Sequence, residues 1–209
     1  SCQCALFDKK VRVFIGVENP PEAVETVIER QKEYLQMLTD RGFITEQIAK
    51  KASENITFDT DIERICGGVD LVVEAVLETL EAKRAVWSRF APYLPKDAVL
   101  ASNTATLLIS DFADATGAPE RFMGWHFATP SYIQNFVDIM PHEGTYKKLL
   151  HVLAEFSENI GLNCGIMNKE LGGYITNNML YSFMDKAFEL MLDGYATYKE
   201  IDKAWMAVR

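Results

Sequence analysis

Between Val11 and Met167, short apolar runs rich in β-branched residues alternate with stretches of helical periodicity. The runs are Val11–Val17, Asn55–Phe58, Asp70–Ala75, Ala98–Ser102, Arg121–Phe127, Gln134–Met140 and Asn163–Met167. Val11–Val17 and Asp70–Ala75 read as strands buried in a sheet. Helices are expected between the runs. Pro21 with Glu22 and Glu25 opens one through Asp40, and Thr45 caps a shorter one to Ser53. Others are expected over Leu80–Tyr93, Ile109–Ala115 and Tyr146–Asn159. Strands alternating with helices specify βαβ units, right-handed crossovers and a mostly parallel sheet. After Gly172 the pattern changes. Tyr174–Leu192 is one long apolar helix, and Thr197 caps another toward Trp205. The expected architecture is α/β over residues 1–170, followed by the start of an all-α segment over 171–209.

Charge and cysteine content narrow the partners. The net charge is −9 with no Lys/Arg cluster, which argues against nucleic acid or an anionic membrane surface as a partner. The longest stretch without Asp, Glu, Lys or Arg, Phe122–Val137, is broken by His126, Pro130, Gln134 and Asn135, and is shorter than the ~20 apolar residues a membrane span needs. Four cysteines, Cys2, Cys4, Cys66 and Cys164, suit neither a disulfide scaffold nor a zinc set, so no metal is expected. Cys66 and Cys164 read as packing residues. With no signal-peptide pattern, the cytoplasm is the expected compartment. Leu6–Lys10 and Ile201–Arg209 read as helices cut in mid-course, so both ends are expected to fall inside elements.

Ligands of open parallel sheets bind beyond the carboxyl ends of the strands. The polar residues there are Glu18, Glu74, Glu78, Ser102-Asn103-Thr104 and His126. Glu18 is either the acid that receives adenosine ribose hydroxyls, favouring NAD over NADP, or a solvated loop charge. The glycine-rich phosphate loop that accompanies such an acid is not in this sequence. His126 is either a satisfied core histidine or a base, and Asp138 on the next strand supplies the carboxylate a base needs. Asn177, in an apolar helix, must find partners or leave an amide unsatisfied at about 1–3 kcal/mol. His142 and His151 read as surface residues, and the Met and aromatic side chains of Met179–Met191 as packing on a helix face.

In this order, DLVVEAVLETLEAK (70–83), LASNTATL (100–107), ERFMGWHF (120–127), FVDIMP (136–141), GGYITNNML (172–180) and GYATYKEIDKAW (194–205) resemble the L-3-hydroxyacyl-CoA dehydrogenase family. The likeness covers nearly the whole chain and is nearest the short-chain hydroxyacyl-CoA and diketoreductase branches. It implies a Rossmann-type NAD-binding domain followed by a helical substrate and dimerisation domain. It also implies His126 as catalytic base, Asp138 where the family usually has Glu, and Asn177 as the active-site asparagine. Glu78, Lys83 and Asn103 match residues at the nicotinamide end of the cofactor, and Glu18 matches the ribose acid. The Pro21–Ser53 helices match a hairpin that helps cover the acyl-CoA.

The family's active-site serine falls on Ala105, so a substrate-oxygen contact passes to Thr104 or Thr106 or is lost. The family begins with a strand and GxGxxG loop ahead of the position of Ser1, and continues past IDKAW with helices that form its dimer interface. The expected function is NAD-dependent interconversion of short-chain 3-hydroxyacyl-CoA and 3-ketoacyl-CoA in fatty acid metabolism, by a homodimer when full length. Two alternatives stand beside it: a dehydrogenase or reductase of a free 3-hydroxy acid or diketo ester, and a non-catalytic protein on the same scaffold.

Overall fold

The computed structural model describes residues 13–16, 21–128 and 134–208. Strand β1 (Val13–Gly16) leads to helix α1 (Pro21–Asp40) and the shorter α2 (Glu46–Glu54). The Thr45 hydroxyl caps α2 by accepting from the Ile48 amide. Leu35 of α1 and Ala52 of α2 close over Ile56, forming a small core of their own. Strand β2 (Ile56–Asp59) pairs in parallel with β1.

Then come α3 (Ile62–Cys66), β3 (Leu71–Glu74), α4 (Leu80–Phe90), β4 (Val99–Ser102), β5 (Phe122–Phe127) and β6 (Phe136–Met140). Helix α5 (Lys147–Asn159), β7 (Asn163–Ile166), α6 (Tyr174–Leu192) and α7 (Tyr198–Val208) complete the chain. Five strands form one sheet in the order β3-β4-β5-β6-β7, while β1 and β2 form a separate pair among the described residues. All neighbours in the larger sheet run parallel except β5 and β6. A mostly parallel α/β sheet followed by helices is therefore the architecture. Every expected strand is present, though only Val13–Gly16 of the Val11–Val17 run is described.

Alternation along the central strands sends side chains to opposite faces. Val99, Ala101, Met123, Trp125, Val137 and Ile139 turn to one face and pack against Leu150 and Leu153 of α5. The Trp125 indole donates to the Ser157 hydroxyl at 3.0 Å, and that hydroxyl donates to the Leu153 carbonyl at 2.7 Å. Leu100, Phe122 and Met140 turn to the other face, against Val86, Trp87, Phe112 and Tyr174. By the same period, His126 and Asp138 belong to this second face.

The structure departs from the sequence expectation at four places. Ile109–Ala115 is not an α-helix but two 3-10 turns, Ile109–Asp111 and Ala113–Thr116. Phe112 between them has φ −143°, and the fully buried Ile109 and Phe112 side chains are seated in the core at the expense of helical continuity. The Leu80 helix stops at Phe90, where Pro92 carries the chain into a 3-10 turn. Helix α3 has five residues, too few to show a period, and is signalled only by the Asp61 carboxylate accepting from the Arg64 amide. On α6, Met179, Tyr181, Phe183, Met184 and Phe188 are exposed, so the expected packing face is uncovered except where Phe183 meets Trp205 of α7 at 4.2 Å.

Helix α6 reaches the sheet at Gly124. A Cβ there would collide with the Tyr174 hydroxyl, so the absent side chain is what admits the Tyr174 ring. Tyr174 is fully buried and holds φ +53°, a backbone conformation that strains an aromatic residue. The substitution Gly124→Ala should destabilise the protein by about 1–3 kcal/mol in urea unfolding. Combined with Tyr174→Phe, which removes the colliding oxygen, it should destabilise by less than the sum of the two single changes. Additive effects would show that the contact is not limiting.

Candidate active site

The turn of direction between β5 and β6 sets His126 opposite Asp138 in antiparallel register. The imidazole Nδ1 lies 3.4 Å from Asp138 Oδ2, and both side chains are buried. Aspartate is one methylene shorter than glutamate, and the separation stands at the long limit of a hydrogen bond. Asp138 Oδ1 is buried with no hydrogen-bond partner. The imidazole's other nitrogen, Nε2, has no partner among the described residues. A carboxylate on one ring nitrogen and an open second nitrogen is the arrangement of a general base.

Beside this pair lies the loop after β4, and Glu78 holds it. One Glu78 oxygen accepts from the Thr104 hydroxyl at 2.6 Å, the Ala105 amide at 2.7 Å, the Thr106 amide at 2.8 Å and the Thr106 hydroxyl at 3.0 Å. The other is 3.1 Å from Lys83 Nζ. Burial pushes the Glu78 carboxyl up, but the donors from Thr104, Thr106, Ala105 and Lys83 outweigh it and hold it down to about 2. Lys83 is 1% exposed, and its ammonium also lies 2.9 Å from Glu74. Glu74 accepts in turn from the Ser102 hydroxyl at 2.6 Å and the Val76 amide at 2.7 Å. A buried ammonium is tolerable only with such partners. The result is a charged knot tying β3, α4 and the β4 loop together.

Asn103 lies between the knot and the base. Its Oδ1 accepts from the Phe127 amide at 3.2 Å, next to His126, and its amide nitrogen has no partner among the described residues. Asn177 approaches from α6, its amide nitrogen 3.5 Å from the Ala105 carbonyl. The sequence-selected His126, Asp138, Asn103, Glu78, Lys83, Thr104, Thr106 and Asn177 thus fall in one region. The hydroxyl protons of Thr104 and Thr106 are directed to Glu78 rather than into open space. Glu18 lies outside the described residues.

Residues given no role from sequence also belong here. Glu74 and Ser102 complete the knot; both are polar at a strand's end, and that position was their only signal. Tyr174 stacks on the His126 ring with centroids 4.6 Å apart and planes at 22°, and the Thr176 hydroxyl donates to Asp138 at 2.6 Å. No sequence signal marks either, because both depend on how α6 meets the sheet. Among the described residues, no three His, Cys, Asp or Glu side chains converge on a metal position. No helix among them is long and apolar enough to cross a membrane.

Comparison with known proteins gives concordant results. Residues 3–169 match the family model described as 3-hydroxyacyl-CoA dehydrogenase, NAD binding domain. The mitochondrial hydroxyacyl-coenzyme A dehydrogenase of Sus scrofa is 31% identical over 159 residues, covering 76% of this chain and 50% of that protein. A probable 3-hydroxybutyryl-CoA dehydrogenase of Bacillus subtilis (strain 168) is 27% identical over 183 residues, covering 88% of this chain and 63% of that one. A solved diketoreductase superposes with a TM-score of 0.89 at 28% identity, covering 98% of this chain and 71% of its own. The chain thus spans about half the length of the mammalian relatives it matches.

Because the Glu78 carboxyl is lowered on folding, its contribution to stability is present above its unfolded value and is lost as pH falls through the folded one. The difference in urea midpoint between the native protein and Glu78→Gln should hold steady above about pH 5 and shrink toward about pH 3. A difference unchanged over that range would mean that the four donors do not favour the charged form.

Proposed function

The chain belongs to the family of 3-hydroxyacyl-CoA dehydrogenase NAD-binding domains, and from that premise we propose that it interconverts short-chain 3-hydroxyacyl-CoA and 3-ketoacyl-CoA with NAD. In this reading the full-length protein is a cytoplasmic homodimer serving fatty acid metabolism. Residues 1–170 form the NAD-binding domain, and 171–209 begin the substrate and dimerisation domain. The exposed apolar side of α6 and α7 supports the dimer. The observation that carries the chemistry is the His126–Asp138 pair, buried and in register at the open end of the sheet.

Asn103 fits the cofactor. Its oxygen is fixed by the Phe127 amide, leaving the amide nitrogen as a donor for a carboxamide oxygen. Glu78 and Lys83 would act at the same end by fixing the loop that carries Thr104 to Thr106, and Glu18 would receive the adenosine ribose. Bound NAD supplies the two-electron acceptor for the hydride that leaves the substrate's C3. His126 Nε2 takes the proton of the C3 hydroxyl as the carbonyl forms, and Asp138 stabilises the resulting imidazolium. Asn177 orients the reacting oxygen from the helical side. Thr104 and Thr106, whose hydroxyls are engaged by Glu78, would serve the substrate by shaping the loop beside the base.

A second reading keeps the chemistry and changes the substrate to a free 3-hydroxy acid or diketo ester. The net charge of −9 with no Lys/Arg cluster to meet the phosphates of CoA favours it, and so does the likeness to a diketoreductase. Comparing kcat/KM for 3-hydroxybutyryl-CoA and for the free acid decides between the two. In the full-length protein, His126→Gln should lower kcat for 3-hydroxybutyryl-CoA oxidation by at least ~100-fold. A loss of only a few-fold would remove His126 from the role of base, and NADH binding without turnover on any 3-hydroxy substrate would favour a non-catalytic protein.

A further inference from the structure

The Asp138 carboxylate is fully buried, yet its contact with the imidazole is long. Its Oδ2 is 3.4 Å from His126 Nδ1 and only 2.6 Å from the Thr176 hydroxyl. Its Oδ1 has no partner. A carboxylate on a short arm, with one oxygen unsatisfied, gains by rotating about its Cβ–Cγ bond unless something holds it. The strand partner cannot hold it, since His126 is at the limit of reach. Solvent is excluded from both oxygens, so no water replaces a lost donor.

The geometry points to Thr176 as a positioning residue for the catalytic pair: its hydroxyl fixes Asp138 Oδ2 in line with the imidazole and offsets the missing methylene. The hydroxyl is the short contact, and it donates to the same oxygen that faces His126. A short, charge-assisted donor of this kind is among the stronger hydrogen bonds. Thr176 comes from the first turn of α6, two residues after Tyr174, whose ring covers the imidazole face at 4.6 Å. One helix turn thus sets the plane of the base with a ring and the direction of its carboxylate with a hydroxyl. Thr176 acts through Asp138, to which its hydroxyl donates. This role rests on the reading of His126 as a base, but the placement of the carboxylate does not.

Two readouts keep these apart. 15N-histidine labelling of the full-length protein resolves its imidazole signals, among them those of His126, His142 and His151, with that of His126 assigned by its loss in His126→Gln. At one fixed pH, Thr176→Val should move the His126 ring nitrogens while those of His142 and His151 stay in place. Thr176→Ser, which restores the hydroxyl, should return them. In steady-state oxidation of 3-hydroxybutyryl-CoA, the valine variant should lose about tenfold in kcat, the worth of one positioned hydrogen bond. KM should stay within about twofold, because uniform binding is untouched, and serine should recover the rate. Unmoved His126 signals in the valine variant, or equal displacement in valine and serine variants, overturns the role of Thr176. Absence of turnover in the native protein overturns the dehydrogenase reading instead, and the spectra still decide the placement of Asp138.

Discussion

The antiparallel pairing of β5 with β6 is the constraint on which the site depends. In a sheet otherwise built of parallel neighbours, this reversal lays the end of β5 against the start of β6. It sets His126 directly across from Asp138. A parallel neighbour would need a crossover of a dozen residues or more and would set strand end beside strand end. The reversal also places both side chains on the face where Leu100, Phe122 and Met140 pack. The pair is consequently dry, and a dry pair interacts more strongly than one in water.

The second element of order is the knot of Glu74, Lys83 and Glu78. It crosses from strand to helix to loop and satisfies a 1%-exposed ammonium with two carboxylates. One carboxylate looks inward to Ser102, and the other gathers the backbone and hydroxyls of residues 104–106. The loop after β4 is thereby fixed by charge-assisted hydrogen bonds rather than by apolar packing. Ala105 can stand in that loop without loosening it, because the contacts are made by backbone amides and by its neighbours' hydroxyls.

Much of this was legible in the sequence, for reasons that can be stated. The β-branched runs gave the strands because a two-sided buried strand tolerates little else, and turn chemistry gave the breaks. His126, Asp138 and Asn177 stood out as polar groups in apolar contexts. The 3-10 turns at Ile109–Thr116 were not legible: their residues follow a helical period, and only the depth of Ile109 and Phe112 in the core breaks it. Helix α3 was too short to show any period. Thr176 and Tyr174 were hidden for another reason. Each looks like ordinary helix content, and each gains meaning only from the gap at Gly124 into which the start of α6 fits.

Tyr174 is the one buried residue of the nineteen in α6. The helix is held to the sheet side by its first turn, where Tyr174 fills the gap at Gly124, Thr176 donates to Asp138 and Asn177 meets the Ala105 carbonyl. That turn carries the ring against His126 and the hydroxyl against Asp138. A displacement of that first turn would break both contacts to the His126–Asp138 pair while leaving the strand pairing of the sheet as it is.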